Sequence, residues 1–129
     1  MKMVWVNGCF DILHVGHVEL LKYAKSLGDR LVVGIDSDQR VKQLKGENRP
    51  FNTHKDRKKM LTSIRYVDEV IIFNSEEELT DLIKIYDINT MVVGDDYINK
   101  RVVGSENAKE VKFFKKVGYH STSKIINYK

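Results

Sequence analysis

The chain contains a single cysteine and a single proline, which excludes a disulfide framework and a proline-rich linker. Cys9 has no partner for an internal disulfide, and no zinc-ligand spacing recurs along the chain. Eight glycines in 129 residues are too few for a collagen-like or low-complexity chain. Long apolar runs are missing: Val67 to Phe73 falls far short of the roughly 20 residues of a membrane span and is interrupted by acids, so no membrane is expected as partner. No block of one charge exists either, since 22 Lys and Arg against 18 Asp and Glu leave a net +4 with the basic residues scattered. That balance suits an anionic ligand. Without an aromatic-studded basic stripe or a recognition helix, nucleic acid is not expected as a partner. Walker A and GxGxxG patterns are absent, so any bound phosphate must be held by something else. Nothing repeats and no composition shift marks a linker, so one domain over residues 1–129 is expected. Met1 leads straight into a strand-like segment without a leader pattern, and the cytoplasm is the expected compartment.

What is present is an alternation of short apolar runs with helical patterns. Lys2 to Asn7 reads as a strand carrying contiguous Val4, Trp5 and Val6, as suits a strand covered on both faces. Similar runs follow at Leu31 to Ile35, Val67 to Phe73, Met91 to Val93 and Val111 to Phe114. Val18, Leu21, Ala24 and Leu27 mark a helix that Gly28 is placed to stop. A second helix is predicted from Thr53 to Ile64, with Arg57, Lys58 and Lys59 on or near its solvent side. Ser75 and Glu78 form a capping-box pattern opening a third, which buries Leu79, Leu82, Ile83 and Tyr86. Strand–helix alternation implies right-handed crossovers and an α/β Rossmann-like three-layer domain with a parallel sheet of about five strands. Ligands in such sheets bind at the carboxyl ends of the strands, which directs attention to the loops after Asn7, Ile35, Val93 and Phe114.

The first of these loops reads Gly8-Cys9-Phe10-Asp11-Ile12-Leu13-His14-Val15-Gly16-His17. Two imidazoles one helical turn apart at a helix start supply ring N–H donors beside free backbone N–H groups, and Gly16 leaves room for a ligand near the backbone. The same pair also fits a metal site, though only Asp11 stands near as a further ligand, or a plain helix cap. Cys9 reads as packing. Asp36 and Asp38 after the second strand either bind acceptor hydroxyls or end the strand, and Asp11 and Asp95 suit substrate or metal, or structural turns. Tyr97 stacks on a base or packs in a loop. Arg49 and Arg57 are surface charges or, if turned inward, ligands for phosphate oxygens.

Gly-Xaa-Phe-Asp at residues 8–11 with His-Xaa-Gly-His at residues 14–17 resembles the signature of the cytidylyltransferase-like nucleotidylyltransferases. The resemblance implies an NTP giving its nucleotidyl group to a phosphorylated sugar or polyol with loss of pyrophosphate, Mg²⁺ as cofactor, and a homodimer. His14 and His17 would contact the triphosphate, with Gly8, Cys9, Phe10, Gly16, Gly94 and Asp95 around the nucleotide. His120-Ser121-Thr122-Ser123 is similar to the family's ISTT motif, so Ser121, Thr122 and Ser123 would hold the β- and γ-phosphates. Two branches of the family are matched. Leu44 to Pro50 resembles the LKGxxRP segment of heptose 1-phosphate adenylyltransferases, in which Lys45 matches the catalytic lysine, and Gly94 to Tyr97 with Val103 to Ser105 resembles their GGDY…VGS stretch. Ile64 to Val70 and the Gly-Asp-Asp-aromatic pattern look equally like glycerol-3-phosphate cytidylyltransferase. Lys116 stands where that branch has an arginine, and His120 where it has the isoleucine of ISTT. The expectation is adenylyl transfer from ATP to D-glycero-D-manno-heptose 1-phosphate, with Asp11, Asp36, Asp38, Arg49, Arg65 and Tyr97 at the substrate. CDP-glycerol synthesis and a non-catalytic nucleotide-binding module are the alternatives.

Overall fold

Val4, Trp5 and Val6 bury completely or nearly so because successive residues of the first strand face two separate apolar clusters. In the computed structural model, which describes residues 1–115, this strand, β1 (Met3–Gly8), is the centre of a five-stranded parallel sheet. β2 (Arg30–Asp36) and β3 (Glu69–Phe73) lie to one side, β4 (Thr90–Gly94) and β5 (Glu110–Phe114) to the other, in the order β3-β2-β1-β4-β5. The doubly wound parallel sheet is the expected Rossmann-like fold. Its five strands fall on the five apolar runs, with ends moved by one or two residues.

Helices α1 (Val15–Ser26) and α3 (His54–Thr62) cover one face, contributing Leu21, Ala24 and Leu61 to a cluster with Val4, Val6, Val33 and Val92. Helix α4 (Glu76–Ile85) covers the other, where Leu79 and Ile83 meet Trp5, Val32 and Met91. Ser75 caps α4 as its pattern predicts, its Oγ accepting from Glu78 N at 3.1 Å, while the Glu78 carboxylate reaches back to Asn74 N. Leu79 and Ile83 are buried, whereas Leu82 and Tyr86 are only partly so.

Two expectations need correction. A short helix, α2 (Asp38–Lys45), follows β2 where the sequence reads as loop; of its eight residues only Val41 is buried, so its apolar pattern is nearly silent. Arg57 is not on the solvent side of α3: it is 1% exposed, while Lys58 and Lys59 face water as expected. Lys116 and His120 to Ser123 lie outside the described residues. No helix among the described residues is long and apolar enough to cross a membrane.

Crossing from β3 to β4 over the sheet puts the reversal of strand order between β1 and β4, which opens a crevice at their carboxyl ends. Gly34, within β2, makes room for the Trp5 ring, since a Cβ there would overlap that ring. Gly34→Ala should therefore destabilise the fold by about 1–3 kcal/mol through overpacking. Urea unfolding followed by the fluorescence of Trp5, the only tryptophan, measures this; an unchanged midpoint would show that the ring has room to move.

Candidate active site

The loop leaving β1 enters α1 through an unusual cap. His14, with extended backbone, accepts from Gly16 N on its Nδ1 at 3.1 Å, and its own backbone N donates to Nδ1 of His17 at 3.2 Å. The two histidines thus form a reciprocal capping box, so the plain cap reading is met in the structure. Each Nδ1 faces a backbone N–H and must be the acceptor, so each neutral ring carries its proton on Nε2. The rings stack with centroids 3.9 Å apart, and the Phe10 ring meets His17 edge-on at 5.3 Å. α1 also carries no acid in its first turn, whereas α2, α3 and α4 carry Asp38, Asp56 and Glu76 to Glu78 there. Its positive end is therefore not offset by an acid of its own first turn.

The approach to this cap is strained and firmly held. Phe10 adopts φ 51°, a left-handed conformation costing on the order of 1 kcal/mol for a residue with a Cβ. Next to it the buried Asp11 carboxylate accepts from Phe51 N and Asn52 N, each at 2.8 Å, and lies 3.4 Å from Arg49 Nε. The Asn52 amide returns a 2.7 Å bond to the Asp11 carbonyl. Asp11 thus ties the β1–α1 loop to the segment before α3.

Arg57 does the same for a second pair of loops. Its Nη1 donates to the carbonyls of Cys9 and Asp36 at 2.8 Å each, Nε to Asn52 O at 3.0 Å, and Nη2 to Asp38 Oδ1 at 2.9 Å. Asp38 also accepts from His54 N, and its own N donates to His54 Nδ1. Asp36 holds Arg40, whose guanidinium lies over the Phe73 ring. The substrate role expected of Asp11, Asp36 and Asp38 thus falls on carboxylates already bonded within the chain. Asn52 and His54 were not expected at all; their one signal is their position around Thr53, the N-cap of α3.

Lys45 ends α2, exposed, and Gly46 follows at φ 100°, ψ 171°, a conformation open essentially to glycine alone. Burial pushes the Cys9 thiol up, and the charges of Lys45 and Arg57 work against that shift. Arg49 leans over the Phe51 ring, and its Nη2 is buried without a hydrogen-bond partner among the described residues. Gly94 ends β4, and Asp95 and Tyr97 follow it in a 3₁₀ turn on the other side of the crevice, with Tyr97 exposed.

Arg65 is not brought to the site. It precedes β3, at the amino end of the sheet, with its guanidinium over the Tyr66 ring. Its neighbours there are structural too: Asp68 pairs with Lys25, and Glu69 with Arg30 and the Tyr86 hydroxyl. Ser121, Thr122 and Ser123 lie outside the described residues. A cavity of about 530 Å³ runs from Phe10 and Leu13 along α3 past Asn52 and Met60 to Ser63. Among the described residues no three His, Cys, Asp or Glu side chains converge on a metal position, and the Asp11 and Asp38 carboxylates are occupied by the chain's own donors. The described residues therefore do not fit a protein-held Mg²⁺.

Residues 5–128 match the family model described as cytidylyltransferase-like. The chain is 51% identical over 125 residues to the bifunctional protein HldE of Campylobacter fetus, covering 97% of this chain and 27% of that protein. It is 50% identical to HldE of Nitratiruptor and 47% to HldE of Helicobacter pylori J99, with the same coverage. The chain thus spans about a quarter of the length of these curated relatives. The crystal structure of the lipopolysaccharide core biosynthesis protein from Thermoplasma volcanium superposes with a TM-score of 0.71 at 26% identity, covering 93% of this chain and 99% of that one.

The raised Cys9 pKa makes thiolate scarce at neutral pH, so Cys9 is a poor nucleophile despite its place beside the histidines. Iodoacetamide at pH 8 should alkylate it several-fold more slowly in the folded protein than in urea, and Cys9→Ser should keep most activity. Fast alkylation of the folded protein would contradict the burial argument.

Proposed function

The chain belongs to the cytidylyltransferase-like family, and on that premise we propose that it transfers the adenylyl group of ATP to D-glycero-D-manno-heptose 1-phosphate, releasing pyrophosphate and forming ADP-heptose. The observation that carries the reaction type is the reciprocal histidine cap. It fixes both histidines as Nε2–H tautomers at a helix start with no acid in its first turn, a combination suited to a triphosphate. Support for the heptose acceptor comes from the Leu44 to Pro50 segment, which lies beyond the carboxyl end of β2, and from the HldE relatives. The segment most like glycerol-3-phosphate cytidylyltransferase, Ile64 to Val70, runs at the opposite end of the sheet, where its charges pair within the fold. Homodimer formation, which the family resemblance implies, is part of the same proposal.

The transfer is a direct in-line displacement. An oxygen of the acceptor phosphate forms a bond to the α-phosphorus as the bond from that phosphorus to the bridging oxygen of the β-phosphate breaks, and the electron pair leaves with pyrophosphate. The attacking phosphate is already ionised, so no general base is needed. His14 and His17 donate through Nε2 to the triphosphate, and Lys45 opposes the charge that grows on the transferring group. Arg49, with Nη2 buried and without a partner among the described residues, supplies a donor to an acceptor oxygen. Mg²⁺ is part of the proposal only as a companion of the nucleotide, where it would offset part of the triphosphate charge.

Pyrophosphate release measured with each NTP against heptose 1-phosphate, glycerol 3-phosphate and related acceptors tests the proposal. ATP with heptose 1-phosphate should turn over fastest; CTP with glycerol 3-phosphate as the best pair would overturn the substrate assignment. His17→Ala and Lys45→Ala should each lower kcat by roughly 10²–10³ while the proteins remain folded, because their donors act on charge developed in the transition state. Solvent-facing Lys58→Ala should match wild type. Wild-type turnover in folded His17→Ala and Lys45→Ala at saturating substrates would sink the mechanism.

A further inference from the structure

We propose that Arg57, buried beneath the site, is a positioning residue for nucleotidylyl transfer, which sets Lys45 against the His14–His17 cap through one guanidinium shared by three loops. The proposal rests on the transfer reaction above. The parallel ladder between β1 and β2 ends with the pair Gly8 and Ile35, so Cys9 and Asp36 are the next residues in register. Nη1 of Arg57 lies between them and donates to both carbonyls at 2.8 Å, continuing the pairing one step beyond the ladder with a side chain in place of backbone. One of these residues leads into the histidine cap and the other into α2, which ends at Lys45. Nε and Nη2 then fix the guanidinium plane against Asn52 O and Asp38 Oδ1, and Asn52 in turn is bonded to Asp11. The planar fork therefore sets the separation between the two loops that carry the reacting donors.

Direct contact with substrate is not the role of this residue. The guanidinium has no exposed surface, and four of its five N–H groups are engaged by the chain itself. A purely space-filling role does not require a charge either, because a well-packed apolar side chain fills such a position at no greater cost. What an apolar group or a lysine lacks is the ability to hold two carbonyls from different strands and a carboxylate in one plane.

The test is a double-mutant cycle between Arg57→Lys and Lys45→Ala, read as kcat and KM for ATP and acceptor well below the melting temperature of each protein. Arg57→Lys should lower kcat by 10-fold to roughly 10²-fold, the scale of a misplacement of about 1 Å, with both KM values within about threefold of wild type. Adding Lys45→Ala to Arg57→Lys should cost far less than Lys45→Ala alone, because the ammonium is already out of place. Should Arg57→Lys fail to fold, Asp38→Asn, which keeps the guanidinium but removes its carboxylate partner, takes its place in the cycle, with a smaller kcat loss and the same lack of additivity. Fully additive effects, or a folded variant with wild-type kcat, would overturn the positioning role while leaving the reaction intact. A wild-type protein that releases no pyrophosphate with any acceptor would overturn the reaction itself and this role with it.

Discussion

A guanidinium taken wholly out of water has to find its acceptors inside the chain, and Arg57 draws four of them from three separate loops. Removing one partner of such a buried pair typically costs about 3–5 kcal/mol, enough that the loops fold around the charge instead of choosing their own positions. The β1–α1 loop is the main beneficiary. It passes through the left-handed Phe10, a conformation that persists only where the surroundings over-determine it, and the anchors on either side are Arg57 at Cys9 and the Asp11 carboxylate. Rigid strands place these loops at the crevice between β1 and β4, and the two anchors remove the freedom left to them.

That rigidity has a chemical consequence at the start of α1. A serine or aspartate cap would satisfy the same orphan N–H groups, but it would offer a ligand nothing further, and an acid would repel phosphate. Histidine caps with one nitrogen and keeps the other as a donor. Because both Nδ1 atoms accept from backbone N–H groups, the tautomer is decided by the helix and not by the ligand. The donors are thus oriented before any triphosphate arrives, which is the condition under which hydrogen bonds to developing charge are most effective.

Much of this is visible in the sequence because it follows from local patterns. Contiguous valines and isoleucines mark strands covered on both faces, and Ser75 with Glu78 marks the start of α4, since burial and capping are short-range demands. α2 escapes notice because its burial is confined to Val41, too little to impose a period on eight residues. Arg57 misleads for a different reason: Arg57-Lys58-Lys59 reads as a solvated run, and nothing local tells that two carbonyls and a carboxylate from distant segments converge on the first of them. Arg65 shows the reverse. Its motif is legible, but a motif does not state which end of the sheet it occupies, and the topology puts it opposite the crevice. Two histidines one turn apart were legible as donors, a cap or a metal site; the backbone partners of both Nδ1 atoms show the cap.

The central claim, that the helix start presents two Nε2–H donors to a triphosphate, is tested most directly by nitrogen NMR of the His14 and His17 imidazoles with and without a non-hydrolysable ATP analogue. The account predicts that both rings are neutral Nε2–H tautomers in the free protein, and that the analogue shifts both Nε2 resonances while the Nδ1 resonances stay close to their free positions. Nδ1–H tautomers in the free protein, or unchanged Nε2 resonances with the analogue bound, would contradict it.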